Sequence, residues 1–207
     1  MSYLHPYLVE VSEQQEASHQ GRYIYVILQG YPDRFSRLFR FFSRSRFSHA
    51  SIGLSDSDWT FFSYVIKGFR TELPRKYPTS RKAEIPCELY RVEVSEEAYS
   101  MAKAALDDHL KRSHTCRFSY LNLLLCYLRI KRPLKDRYIC SQFVCQILEK
   151  VEAVQLAKHY SLYLPDDFMK TKGLELCFSG NLSQLVNPKV LSMTGASGRF
   201  VGDRMTA

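Results

Sequence analysis

A run of β-branched and aromatic residues near the start of the chain, RYIYVILQG at positions 22–30, leaves little choice of secondary structure. Such residues favour strands, and the glycine that ends the run is typical of a turn. The run therefore predicts a buried strand, and the chain must provide a sheet that covers it.

The elements that follow define the fold class. The patterns predict, in chain order, a helix at 32–46, a strand at 48–54, a turn at 55–58, a strand at 59–66, a loop at 68–86, a strand at 87–94, a helix from 96 to about 112, a helix at 118–128, a helix that begins at Cys140, and a strand at 174–178. Such an order predicts an α+β fold with an antiparallel sheet and helices packed against it.

Apolar residues at helical spacing predict which helix faces are buried. The helix at 118–128 is apolar nearly throughout and is expected to be largely buried. The inward positions predicted for the other helices are Phe35, Leu38, Phe39 and Phe42; Ala98, Met101, Ala102, Ala105 and Leu106; and Cys140, Phe143, Val144, Ile147, Leu148 and Val151.

The length of 207 residues suits one domain, which we expect at 21–185, between a flexible N-terminal segment at 1–20 and a loosely ordered C-terminal tail at 186–207. The first residues include acidic side chains where a signal peptide is basic and apolar, so a cytoplasmic location is expected. The six cysteines lack framework spacing and are interpreted as reduced thiols. His109, His114 and Cys116 are the one grouping that suggests zinc, but no C-x-x-C pair supports it, so we expect no metal and no cofactor.

Cys140 stands where a helix begins, after the break KRPLKD at 131–136. A cysteine in the first helical turn is exposed to the partial positive charge of the helix N-terminus, and the nearby Arg137 acts in the same direction, so its thiolate is favoured. His49 opens the small-residue strand SHASIGL and could supply the imidazole that a nucleophilic thiol needs. The residue types alone leave two alternatives open, a Cys–His pair or a core thiol with a polar strand end.

Two segments, FSHASIGL at 47–54 and ICSQFVCQIL at 139–148, resemble the circularly permuted papain-fold cysteine hydrolases of the NlpC type, in which the histidine precedes the cysteine. The stretches FSYLNLL at 118–124 and LPDDF at 164–168 resemble the tyrosine segment and the Pro-Asp segment of that family. The resemblance covers about residues 22–180, and the four motifs occur in the family's order.

The resemblance implies a papain-like cysteine hydrolase or acyltransferase without a cofactor: an amidase, an endopeptidase or a lipid acyl hydrolase. Cys140 would attack the carbonyl carbon of a peptide or acyl-containing substrate to give a thioester, and His49 would be the general base. A third residue on the next strand would orient the imidazole and is expected near Ser63, although the family more often has His, Asn, Gln or Glu there. Tyr120 would donate a hydrogen bond in the site. The alternative is a catalytically inactive papain-fold module that only binds.

A formal net charge of +8 favours anionic partners, either a membrane surface or, as the weaker expectation, nucleic acid. The arginines of the helix at 32–46 and Arg137, just before Cys140, are expected to flank the cleft. The predicted substrate-binding or anion-binding residues are Arg37, Arg40, Arg44, Arg46 and Arg137, with Arg34 on the same helix. An equally simple interpretation of this helix is that its phenylalanines face the core and its arginines are solvated.

Overall fold

A six-stranded antiparallel sheet organises the part of the chain that the structure, a computed structural model, describes: residues 21–55 and 58–187. The strands are β1 (Arg22–Gln29), β2 (His49–Leu54), β3 (Phe61–Val65), β4 (Gly68–Glu72), β5 (Pro86–Val94) and β8 (Glu175–Asn181), with β6 (Arg117–Phe118) and β7 (Arg137–Tyr138) forming a short parallel pair. The predicted segment 1–20 and nearly all of the predicted tail lie outside the described residues.

The helices lie between these strands in sequence. They are α1 (Arg34–Ser43), α2 (Thr79–Glu84), α3 (Glu96–Lys111), α4 (Tyr120–Tyr127), α5 (Cys140–Lys150) and α6 (Leu182–Leu185), with 3₁₀ turns at Pro74–Lys76, Tyr160–Leu162 and Pro165–Lys170. Among the described residues, no helix combines the length and the apolar character that crossing a bilayer requires.

The sheet has the strand order β4-β3-β2-β1-β5-β8, and each neighbouring pair is antiparallel. The strand predicted from RYIYVILQG is confirmed as β1, which lies between β2 and β5. Gln29, at the end of β1, is opposite His49, the first residue of β2. The α+β class with an antiparallel sheet is therefore confirmed.

Both faces of β1 are covered. Ile24, Val26 and Leu28 contribute to one apolar cluster that includes α5, and Tyr25 and Ile27 contribute to a second cluster. The apolar stripe predicted for α5 is confirmed, since all six of its residues are buried: Cys140, Phe143, Val144, Ile147, Leu148 and Val151. Because this stripe packs against the sheet, the packing determines the position of Cys140 at the start of α5.

The prediction of a loop at 68–86 is wrong. Gly68, at a φ of 98° that favours glycine, follows the turn at 66–67 and starts β4. In β4, Phe69 and Glu72 are buried while Arg70 and Thr71 are exposed. Phe69 lies opposite Tyr64 and Glu72 lies opposite Phe61, so the two buried side chains are on opposite faces of the strand, and no simple alternation marks it in the sequence. A 3₁₀ turn and α2 occupy the rest of this segment.

The predicted burial of two helices is also wrong. In α1 only Ser36 is buried, while Phe35, Leu38 and Phe42 are exposed and Phe39 is half-buried. In α4 only Asn122 and Cys126 are buried. These helices lie beside each other through aromatic contacts rather than under the sheet. Met101 of α3 is likewise 47% exposed rather than inward.

The position of Phe143 predicts a large stabilising contribution. Its ring is fully buried and lies against Tyr64 and Phe69 at centroid distances of 5.2 and 5.6 Å. We expect Phe143→Ala to lower the free energy of unfolding by about 3–5 kcal/mol, through lost burial and the cavity left behind. Urea denaturation measures the change. Phe41→Ala, at a ring that is 77% exposed, is the matched control and should cost no more than about 0.5 kcal/mol; equal costs for the two variants would contradict the described packing.

Candidate active site

Cys140 is the first residue of α5, after the extended Ile139 that precedes the helix. The residue is 8% exposed and lines a cavity of about 740 Å³. The backbone N–H groups of a first helical turn have no partners within the helix, and the helix dipole places partial positive charge there. The position therefore favours a negative oxygen bound next to the sulfur.

His49 reaches the thiol from the sheet. The residue is 5% exposed, and the Cys140 side chain is one of the groups that raise the pKa of its imidazole. The pairing of β2 with β1 and the packing of α5 against β2 bring the two residues together, although they are far apart in the sequence. The structure thus places both residues of the predicted Cys–His pair on the wall of one cavity.

Glu72, at the end of β4, binds the imidazole. Its Oε1 is 2.8 Å from His49 Nε2, and both side chains are buried. The Ser51 hydroxyl donates to the other carboxylate oxygen at 2.5 Å and lies 3.1 Å from Nε2. A carboxylate accepts hydrogen bonds, so Nε2 carries a hydrogen, and Nδ1 is left to exchange a proton with the thiol.

The electrostatics of this site favour the imidazolium. Burial alone would lower the pKa of His49, but the negative charge of Glu72 and the hydrogen bonds with Cys140 and Glu72 outweigh it and raise that pKa to about 10. A buried cation with this partner can stabilise a thiolate beside it.

Four other cysteines lie in environments that disfavour the thiolate. Burial raises the pKa of Cys126 and of Cys177 to about 11 and that of Cys87 to about 12, and it raises the pKa of Cys145 as well. Near neutral pH these thiols remain protonated. Among them, Cys145 follows Cys140 closely in the same helix and differs in having no imidazole beside it within the described residues.

Two tyrosines line the cavity next to the imidazole. The ring of Tyr31 lies 5.5 Å from that of His49, centroid to centroid. Its hydroxyl donates to Gln29 Oε1 at 3.0 Å and lies 3.3 Å from the Tyr77 hydroxyl, and burial raises its pKa well above the ordinary value. Tyr31 thus packs against one side of the imidazole ring and remains uncharged.

The structure places Ser63 away from the imidazole. Its buried hydroxyl donates to the backbone carbonyl of Ala50 at 2.7 Å, a contact between β3 and β2. The partner of His49 comes from one strand further along the chain, on β4. Glutamate is one of the residue types that the resembled family has in this role.

Tyr120 lies beside the site rather than in it. The residue is 55% exposed, and its ring makes edge contacts with Phe35 and Phe118 at 6.2 and 5.2 Å. Those two phenylalanines line the cavity, whereas Tyr120 is not among the lining residues.

The predicted arginines do not line the cavity either. Arg40 donates to the carbonyls of Tyr31 and Arg46, and Arg46 forms an ion pair with the buried Glu88 at 2.9 Å. Arg37, Arg44 and Arg137 are exposed. The cations that do line the cavity are Lys67, Arg70, Lys76 and Arg81, all of them exposed.

Glu72, Ser51 and the four cavity cations are the residues that sequence reasoning missed. Most of them fall in the segment 68–86, which the sequence patterns predict as a loop. That prediction misses β4, the strand that carries Arg70 and Glu72. The sequence carries only a partial signal for this strand: GFRTEL at 68–73 begins with a turn glycine and continues with Phe69, an aromatic residue typical of strands.

The described part of the chain contains no group of three or more His, Cys, Asp or Glu side chains able to bind a metal ion. His109, one of the residues that suggested zinc, is bonded through Nδ1 to the Tyr64 hydroxyl at 3.0 Å.

Comparison with models of known protein families gave no match, and comparison with curated proteins gave no similar sequence. The resemblance to the permuted NlpC-type hydrolases therefore remains a prediction from the four motifs.

The buried ion pair predicts a dependence of stability on pH. His49 has an ordinary pKa of 6.5 and a pKa of about 10 in the fold, so the folded protein binds this proton more tightly than the unfolded chain does. Its stabilising contribution is then complete below pH 6.5 and is lost as the pH rises through 10. We expect Glu72→Gln to destabilise the protein most near pH 6.5 and least near pH 10, as measured by urea denaturation across that range.

Glu84→Gln, at an exposed glutamate of α2, is the matched control and should change the free energy of unfolding little at any of these pH values. If Glu72→Gln costs the same free energy at every pH, the carboxylate does not stabilise an imidazolium.

Proposed function

We propose that this protein is a cysteine hydrolase or acyltransferase in which Cys140 is the nucleophile, His49 the general base and Glu72 the residue that orients the imidazole. The observation that carries the proposal is that Cys140 and the hydrogen-bonded pair His49–Glu72 line the wall of one cavity of about 740 Å³. A nucleophile, a base and a group that orients the base are the three parts of thiol catalysis.

The reaction follows from the positions of the three side chains. His49 already holds the proton given up by the thiol, and the Cys140 sulfur attacks the carbonyl carbon of an amide or ester. The carbon–heteroatom bond then breaks, and the imidazolium gives its proton to the leaving amine or alcohol, which leaves a thioester on Cys140. The neutral His49 takes a proton from water, or from an acceptor amine or alcohol, as that group attacks the thioester; the carbon–sulfur bond breaks, and the sulfur is released beside the imidazolium.

The oxygen that becomes negative during attack requires a hydrogen-bond donor. The Cys140 backbone N–H lies at the start of α5, where the helix provides no acceptor for it and the helix dipole favours an anion. Glu72 binds the imidazole through Nε2, where its carboxylate can stabilise the imidazolium.

The cavity favours acyl groups with a negative charge. Lys67, Arg70, Lys76 and Arg81 line it, and the acidic residues beside them are Asp33 and Glu72. Asp33 already accepts a hydrogen bond from the Ser36 backbone at the start of α1, and Glu72 binds His49. Apolar side chains, including Phe35, Phe39 and Leu123, line the remainder and suit the carbon chain of a substrate.

Trapping of the acyl-enzyme tests the proposal directly. We expect 4-nitrophenyl butyrate to acylate Cys140, and intact-mass and peptide mass spectrometry should place a butyryl thioester on that residue. His49→Ala should abolish the acylation, because the buried thiol then lacks a base. Cys140→Ala should remove both the adduct and the release of nitrophenol.

Cys177→Ala is the matched control, since Cys177 is more exposed than Cys140 and none of the described histidines contributes to its electrostatics. This variant should acylate as the parent does. Acylation spread over several cysteines, or unchanged in His49→Ala, would sink the proposal and favour the non-catalytic binding module.

The cavity cations predict a charge preference. Arg70→Glu should lower kcat/KM for a nitrophenyl ester whose acyl chain ends in a carboxylate by about twofold to fivefold, as expected for an exposed charge pair. The ester of equal length without that carboxylate should be hydrolysed at an unchanged rate. Arg91→Glu, on β5, is the control; a loss of equal size for both esters in Arg70→Glu would show a general defect instead of charge recognition.

A further inference from the structure

The helices α1 and α4 leave a large apolar surface uncovered. Together with the residues just after α4, they expose large apolar side chains to between 42% and 77% of their area. We call this surface the α1–α4 face; its members are Phe35, Leu38, Phe41, Phe42, Tyr120, Leu121, Leu124, Leu128 and Ile130. Scattered apolar side chains are normal on a protein surface, but a contiguous set of this size marks an interaction site.

Aromatic contacts join the two helices into one face. The ring centroids of Phe35 and Tyr120 are 6.2 Å apart; one turn further along α1 and two turns further along α4, those of Phe39 and Tyr127 are 6.0 Å apart. The Tyr127 hydroxyl also donates to the backbone carbonyl of Phe39 at 3.1 Å. These contacts join α1 to α4, so their exposed side chains lie on neighbouring parts of the surface.

The charges of the same segments have one sign. Residues 34–46 include five arginines and no acidic residue, and residues 117–135 include five Arg or Lys and no acidic residue. Of these, Arg34, Arg37, Arg44, Arg129, Lys131 and Arg132 are exposed and make no ion pair with another described residue. Apolar side chains with cations around them have the chemistry that suits the interface of an anionic bilayer.

A second copy of the chain suits this face poorly. In a symmetric dimer the same patch would meet itself, so unpaired arginines would approach arginines on a protein that already has a formal net charge of +8. An anionic lipid surface supplies the opposite charge and also accepts the exposed phenylalanines and leucines.

We propose that the α1–α4 face docks this protein on the surface of anionic membranes, with its aromatic and aliphatic side chains at the acyl boundary and its arginines among the headgroups. This inference goes beyond the proposed hydrolysis and does not depend on it. Phe35 and Phe39 also line the cavity, so docking places the cavity next to the headgroup layer.

Co-sedimentation with vesicles tests the docking. The probes are vesicles of phosphatidylcholine alone and of phosphatidylcholine with about one-fifth phosphatidylserine, each with the full chain. We expect binding to the anionic vesicles and much weaker binding to the neutral ones. The double variant Phe41→Ser/Phe42→Ser should bind the anionic vesicles at least about tenfold more weakly, because it removes two exposed rings that do not line the cavity. Arg37→Glu/Arg44→Glu should weaken binding and reduce its dependence on salt.

Leu176→Ser, at a half-exposed leucine of β8, is the matched control and should bind as the parent does. Cys140→Ala should also bind as the parent does, which separates docking from catalysis. The proposal is overturned if anionic vesicles do not bind the protein, or if the double phenylalanine variant binds as Leu176→Ser does. It is also overturned if light scattering shows a dimer that the double variant abolishes, since a second copy would then cover the face.

Discussion

The buried pair formed by Glu72 and His49 is the interaction on which the site depends. Burying a carboxylate and an imidazolium is unfavourable unless each finds partners, and here the 2.8 Å contact and the Ser51 hydroxyl supply them. The pair requires β4 to fold back along β3, because only then does Glu72 approach β2. The same requirement fixes the imidazole ring, since a histidine bound through Nε2 presents Nδ1 to the thiol.

The elements that could be predicted from the sequence are those whose apolar residues follow one clear pattern. β1 is apolar along its whole length, and α5 has an unbroken stripe from Cys140 to Val151, so both elements, and with them the Cys–His pair, could be located. Glu72 was hidden, because charged residues and three prolines in 68–86 outweighed the weak strand signal of Gly68 and Phe69, and the burial of β4 does not alternate. Polar Ser63 in the next strand was the only visible substitute, and the sheet uses its hydroxyl to bond Ala50.

Helices α1 and α4 show a second limit on what can be predicted from the sequence. The spacing of Phe35, Leu38, Phe39 and Phe42 defines a face but does not say what covers it, since a core helix and an interfacial helix share the same period. The arginines were the better guide: five of them in α1 and the residues that follow, without a single carboxylate, leave most of their charges unpaired within the described fold.

The order of the three site residues along the chain has a consequence for biosynthesis. A ribosome produces β2 and β4, and therefore the acid–base pair, well before it produces α5. Until α5 packs against β2 and β3, Cys140 has no imidazole beside it, and the newly made chain contains six cysteines with nothing to single one out. Under the proposed function, the protein therefore acquires its reactive thiol only as a product of complete folding, which would spare unfinished chains from acylation and oxidation at that residue.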